Sequence, residues 1–197
     1  MEERALPLHA GRARPRCRCT AFNGTVPMRT RVVVSALTAA LALAPGASLA
    51  GCTGVGAFTC SATVSVAAPL AFGNYDPAVA TPKDNTTTIT VVGKVTALVA
   101  LLVTLSYTVS LDAGPTGSIA NRQMTGPVGG TLGYNLYTDN ARTTVWGLNS
   151  VSDSYNITAS VIGTTVTRNY TAYGRIPAAQ YVAPGGYAST ITVTVTY

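Results

Sequence analysis

The segment from Tyr187 to Tyr197 constrains this chain most. Ile191, Val193, Val195 and Tyr197 alternate there with Thr190, Thr192, Thr194 and Thr196. A period of two with β-branched residues on both faces defines a strand with one buried face. The pattern runs to the last residue, so the chain is expected to end inside a sheet.

Other segments repeat the logic. Thr87 to Val92 alternates around Ile89 and Val91, and Tyr107, Val109 and Leu111 alternate with Thr108 and Ser110. Leu132, Tyr134 and Leu136 face one way, against Gly133, Asn135 and Tyr137. Tyr155, Ile157, Ala159 and Val161 form another strand, with Val166 to Tyr173 as its expected hairpin partner through Ile162-Gly163-Thr164. Val95 to Val103 is almost continuously apolar, which favours a buried strand over a short helix. Gly and Pro punctuate the gaps, at Gly114-Pro115, Gly126-Pro127 and Pro184-Gly185-Gly186. Several short strands separated by such turns predict one antiparallel β-sandwich.

The beginning of the chain has a different character. Met28-Arg29-Thr30-Arg31 is a short basic region, Val32 to Leu43 is apolar, and Pro45 to Ala50 supplies a helix break and small residues. That order describes a secretory signal peptide over 28–50. Its apolar stretch is short of the roughly 20 residues that span a bilayer. Residues 1–27 fit poorly in front of it and read as a dubious extension upstream of a start at Met28, or else as a long basic region. The sandwich domain is expected over 51–197.

This division removes most of the charge. Seven arginines up to Arg31, against Glu2 and Glu3, carry +5 of the net +6. The remainder carries +1 and contains neither His nor Glu. A basic face for nucleic acid is therefore not expected. Imidazole bases, the usual zinc ligands and glutamate general acids are missing as well, so no catalytic, metal or cofactor site is expected.

Several phrases occur together and in order. They are Pro69-Leu70-Ala71-Phe72-Gly73-Asn74-Tyr75-Asp76-Pro77, then Tyr107 to Gly114, then Asn121-Arg122-Gln123-Met124. Leu132 to Gly147 follows, including Tyr134, Tyr137, Asp139, Arg142 and Trp146. Tyr173-Gly174-Arg175-Ile176-Pro177-Ala178-Ala179-Gln180, Gly186-Tyr187 and the terminal Thr-Val strand complete the set. Together, over about residues 60–197, they resemble the spore coat protein U family, whose relatives include subunits of archaic chaperone–usher pili.

The resemblance implies an incomplete immunoglobulin-like sandwich completed by a donor strand. It implies a periplasmic chaperone, an outer-membrane usher and sister subunits as partners, with no small-molecule substrate and no cofactor. The function it implies is an exported structural subunit of a surface fibre or coat, serving adhesion or biofilm formation. The alternative is a surface or spore-coat lipoprotein of the same fold that does not polymerise.

The chain departs from the family pattern twice. Members usually pair an early Cys with one at the end of the strand matching Thr88 to Gly93, but Val91-Val92-Gly93 has none. A donor extension is also hard to find, because only Gly51 to Thr59 precede Cys60. That leaves a weak donor, or a subunit that accepts a strand and gives none.

Cys52 and Cys60 are disulfide candidates in an exported chain. A straight strand would set their Cα atoms about 26 Å apart, and a bridge needs less than about 7 Å. The chain must then turn at Thr53-Gly54-Val55-Gly56, and the closed loop would contribute about 2–3 kcal/mol. Leu49-Ala50-Gly51-Cys52 also resembles a lipobox, which makes Cys52 a lipidation candidate. Asp139, Arg142 and Trp146 could form a binding cluster, but a turn at Asp139-Asn140 with Trp146 in the core is the plainer reading. Gly129 to Gly133 lacks the lysine of a phosphate loop.

Overall fold

The computed structural model describes residues 51–197 and, of the stretch before them, Cys17–Cys19. The expected signal peptide at 28–50 and the rest of the extension at 1–27 lie outside the described residues. In chain order the strands are β1 (Cys17–Cys19), β2 (Gly51–Gly54), β3 (Phe58–Val66), β4 (Gly73–Tyr75), β5 (Lys83–Ala97) and β6 (Leu101–Leu111). They continue with β7 (Arg122–Thr125), β8 (Thr131–Tyr137), β9 (Val151–Ala159), β10 (Thr164–Ile176), β11 (Gly186–Tyr187) and β12 (Val193–Thr196). A 3-10 turn at Pro127–Gly129 is the one helical element among the described residues. No described helix is long and apolar enough to cross a membrane.

The architecture is all-β, with two sheets packed face to face. One sheet has the order β3-β5-β10-β8-β7. In the other, β6 carries β9 along one edge, with β12 and β2 end to end along the other. All of these pairs are antiparallel. The third, smaller sheet has the order β11-β1-β4.

Alternation explains the packing. Ile89, Val91 and Val95 of β5 are fully buried, as are Val103, Leu105 and Val109 of β6. Their intervening residues face outward, which is the pleat of a sheet with one dry face. Each large aliphatic side chain so buried stabilises the fold by about 1.5–3 kcal/mol.

Three expectations change. The apolar run Val95 to Val103 is not one strand: β5 ends at Ala97, and β6 begins at Leu101 in the facing sheet. Both strands keep their alternating faces on the core, so the residues between them are pushed out at the pole. Leu98 is 81% exposed and Val99 62%.

The expected hairpin of β9 and β10 is also absent. β9 pairs with β6, whereas β10 pairs with β5 and β8. The connection crosses between sheets and is held there by Ala97 N–H donating to the Ser160 carbonyl at 3.1 Å. Finally, the terminal segment is split into β11 and β12. Between them Asp112 Oδ1 accepts the Thr192 N–H at 2.9 Å and replaces a ladder bond. Tyr187, Ser189, Ile191 and Val193 keep the inward alternation, but Tyr197 is 41% exposed.

Candidate functional site

The residues singled out by the family phrases do not meet in a cleft. Arg122, on β7, has no exposed surface, yet none of its hydrogen-bond partners is a carboxylate. Its Nε donates to the Asp112 carbonyl at 2.8 Å, its Nη1 to Asn135 Oδ1 at 2.6 Å and its Nη2 to the Trp146 carbonyl at 2.7 Å. Burial pulls its pKa below the ordinary value. The planar fork lets one side chain satisfy groups from several loops. Trp146 is 1% exposed and donates its indole N–H to the Val109 carbonyl at 3.1 Å. Gly147 follows under Ile119, with no room for a Cβ.

A second group braces β4. Tyr75 is buried, and its hydroxyl donates to the Pro177 carbonyl at 2.9 Å and accepts the Gln180 N–H at 2.8 Å. Phe72 packs edge-on against Tyr134, with ring centroids 6.3 Å apart. Gly174 lies beneath them, because a Cβ there would come within 2.5 Å of Leu70 and 2.7 Å of Phe72. Asp76 turns the chain after β4 by accepting the Ala78 N–H at 2.9 Å. Tyr187 donates its hydroxyl to the Ala183 carbonyl at 2.8 Å and so fixes β11.

The third group lies on the outer face. Arg175 grips Asp84 through Nε and Nη2 at 2.8 and 2.9 Å, and Arg142 Nη1 approaches the same carboxylate at 3.4 Å. The hydrogen bond from Arg175 holds the Asp84 carboxyl below its ordinary value. Arg142 also stands over the Tyr173 ring, 5.8 Å from its centroid. Tyr137 bridges to Val145, closing the turn in which Asp139 accepts the Thr143 and Thr144 N–H groups. Asp139, Arg142 and Trp146 therefore have separate jobs.

What remains is a slot and a pole. β1 pairs antiparallel with β4 (Cys17↔Tyr75 to Cys19↔Gly73) and parallel with β11 (Arg18↔Gly186, Cys19↔Tyr187). β4 and β11 have no ladder with each other. Each presents a backbone edge that an added strand completes, which is the geometry of β-strand addition. Gly73 and Gly186 border the slot, and a Cβ at either would meet nothing within 4 Å.

The opposite end of the sandwich gathers three crossings between sheets, namely β2 to β3, β5 to β6 and β9 to β10. Val55 is 88% exposed and Ile162 89%, beside Leu98, Val99, Leu102 and Val161. None of the three crossings carries an ionisable side chain. Lys94 lies against Gly163 in the last of them, so the exposed apolar side chains share this end with one cation. Cys52 of β2 is bonded to Cys60 of β3 at this end, with Cα atoms 6.5 Å apart. Gly51–Gly54 is thereby paired on β6 rather than free as an arm.

Reading the sequence for family phrases passed over this pole. Its signal was present as apolar dipeptides, Leu98-Val99 and Val161-Ile162, placed at connections. Also unforeseen was a polar cluster between the sheets. Tyr170 donates to Asp153 Oδ2 at 2.8 Å, its oxygen lies 2.7 Å from that of Tyr107, and Arg168 stands 4.9 Å from the Tyr155 ring.

A solved complex of the CsuC chaperone with the CsuE tip adhesion subunit, from the archaic chaperone–usher Csu pili of Acinetobacter baumannii, is 17% identical with a TM-score of 0.37. That similarity covers 71% of this chain but only 40% of the other. No match is found among curated proteins. The sequence profile of the Spore Coat Protein U domain matches residues 38–194. The chain belongs to the Spore Coat Protein U domain family.

Proposed function

We propose that this chain is an exported structural subunit of a surface fibre or coat, completed in the β4–β11 slot by a strand from another protein and adhesive at the opposite pole. The observation that carries the reading is the slot itself. It is filled by a strand from outside the sandwich domain, paired on both sides. Cleavage of the leader after Ala50 removes that strand. The two edges are then open to a chaperone strand first and to a sister subunit's strand in the assembled fibre, delivered by an outer-membrane usher. An open edge invites aggregation, which gives the chaperone its purpose. Backbone bonds would provide affinity, and alternate side chains specificity.

The poles support adhesion. The slot lies beyond the starts of β5 and β12, whereas the apolar crossings lie at the end of β5 and the start of β6. Joining at one pole leaves the other free to meet an apolar surface. Asp84, Asp139, Arg122, Arg142 and Arg175 are engaged with backbone groups or with each other, which favours a structural role over a catalytic one.

The test uses the mature protein after export. Its N-terminus should be Gly51, and peptides with alternating apolar residues should slow amide exchange at Gly73–Tyr75 and Gly186–Tyr187. A mature chain that keeps Cys17–Cys19, or slot amides indifferent to every peptide, overturns the reading. An acylated Cys52 at the N-terminus would put a tethered lipoprotein of the same fold in its place, because that sulfur cannot also bond Cys60.

A further inference from the structure

We infer that Asp153 and Arg168 form a charged guard between β9 and β10, which refuses an added strand along that side of the sandwich. The guard makes strand addition selective for other edges, so the inference rests on the strand-addition reading of the β4–β11 slot.

Two backbone edges are free on the guarded side. β9 pairs with β6 from Leu101↔Ala159 to Val109↔Val151 and, among the described residues, has no ladder on its other side. β10 is laddered to β5 throughout, but β8 covers its other side only at Tyr173, Gly174 and Arg175. Thr165 to Tyr170 is therefore an uncovered edge in one sheet, and β9 is one in the other. They meet near the connection between them, where Thr164 Oγ1 donates to the Thr158 carbonyl at 2.8 Å. Unpaired rows of backbone N–H and C=O groups are templates for another chain. A subunit completed by foreign strands is exposed to such pairing at every edge it leaves open.

The side chains along this gap oppose it. Alternation turns the odd-numbered residues of β9 and the even-numbered residues of β10 towards the facing sheet. Asp153 and Arg168 are the charged members of those two sets. They meet across the gap, with Arg168 Nε 3.5 Å from Asp153 Oδ2. The same oxygen accepts the Tyr170 hydroxyl at 2.8 Å, and the Arg168 guanidinium stands over the Tyr155 ring. Tyr107, buried on β6, places its hydroxyl 2.7 Å from that of Tyr170 and so ties the carboxylate to the core. Yet the Asp153 and Arg168 side chains remain 29% and 47% exposed, so both charges stay hydrated. A strand added here would lay a side chain over them and strip that water, a loss that the existing ion pair does not offset. Inward-pointing charge is one of the ways in which an edge is closed to partners.

The edge strand β3 provides the contrast. Its inward set is Phe58, Cys60, Ala62, Val64 and Val66, with no charge among them. The guard is thus a feature of one side and not a general property of the edges.

The experiment uses the exported mature protein and a panel of uncharged synthetic peptides that alternate threonine with valine, isoleucine or leucine. Site-resolved amide exchange is the readout. In the wild type these peptides should slow exchange at Gly73–Tyr75 and Gly186–Tyr187 and leave β9 and Thr165 to Tyr170 unchanged. Asp153→Asn with Arg168→Gln removes both charges and keeps an acceptor for Tyr170. In that pair, peptide should slow exchange several-fold along β9 or Thr165 to Tyr170, with the slot protected as before. Asp153→Val with Arg168→Val should show the larger gain. Structural loosening alone would accelerate exchange there, with or without peptide, so it cannot imitate the gain. Peptide protection of β9 or Thr165 to Tyr170 in the wild type overturns the guard, as does a neutral pair protected in the slot alone. A panel that protects nothing in any of these proteins overturns the strand-addition reading, and the guard's role with it.

Discussion

Arg122 Nη2 lies 2.7 Å from the carbonyl oxygen of Trp146, so a guanidinium with no exposed surface is held by backbone dipoles rather than by a carboxylate. The same side chain reaches the carbonyls of Asp112 and Leu111 and the side chain of Asn135. Removing it strands several buried acceptors, each costing about 1–3 kcal/mol. Arg122→Met should lower stability by about 3 kcal/mol or more. Arg122→Lys should recover only part, because an ammonium lacks the planar fork. Urea unfolding midpoints give the answer, and a wild-type midpoint for Arg122→Met would refute the hub.

Gly174 tests the brace under β4. An alanine methyl there must displace Leu70 and Phe72. Overpacking of this kind costs about 1–3 kcal/mol. Since Phe72 leads directly into Gly73–Tyr75, Gly174→Ala should also weaken strand-peptide binding. Calorimetry with and without peptide separates the two effects, and unchanged peptide affinity would detach the brace from the slot.

Alkaline pH tests the cluster between the sheets. Burial pushes the Tyr107 hydroxyl from 10.0 up to about 12, against the opposite pull of its bond to Tyr170. Burial raises Tyr170 as well, reinforced by its bonds to Tyr107 and Asp153. A phenol whose folded pKa exceeds its unfolded value favours the native state in its protonated form. Its contribution is complete below the unfolded value of 10.0 and is lost as pH climbs towards about 12. Tyr107→Phe should flatten the alkaline fall in the unfolding midpoint. The same slope in both proteins would show that Tyr107 does not govern it.

The apolar pole can be altered without disturbing the core. Leu98 is 81% exposed and Ile162 89%. Exposed substitutions of this kind change stability by about 0.5 kcal/mol or less. Leu98→Ser with Ile162→Ser should leave the melting temperature nearly unchanged and sharply reduce retention on polystyrene. Full retention would move any adhesive surface elsewhere on the molecule.

Strand identity was legible wherever a period of two was unbroken. Ile89 and Val91 in β5, Tyr107, Val109 and Leu111 in β6, and Leu132, Tyr134 and Leu136 in β8 are all buried at every second position, although Ser110 and Asn135 between them are buried as well. Partnership was less legible. Val95 to Val103 and Tyr155 to Tyr173 each contain a crossing between sheets. A short connection serves a hairpin and a crossing equally well, and only facing surfaces distinguish them. The terminal segment alternates without interruption, yet Asp112 divides its hydrogen bonding from eighty residues away.

The sequence by itself determined an all-β chain with one dry face per strand, because alternation is local and burial follows it. It also carried the family, through phrases whose residues turn out to be hub, brace and turn. Only the tertiary structure decided that β4 and β11 lie one strand apart, joined through β1 between them. It alone brought the crossings that hold Val55, Leu98 and Ile162 to one pole and bonded Cys52 to Cys60. Both features depend on which edges and crossings meet in space, and residues far apart in the chain carry no mark of meeting.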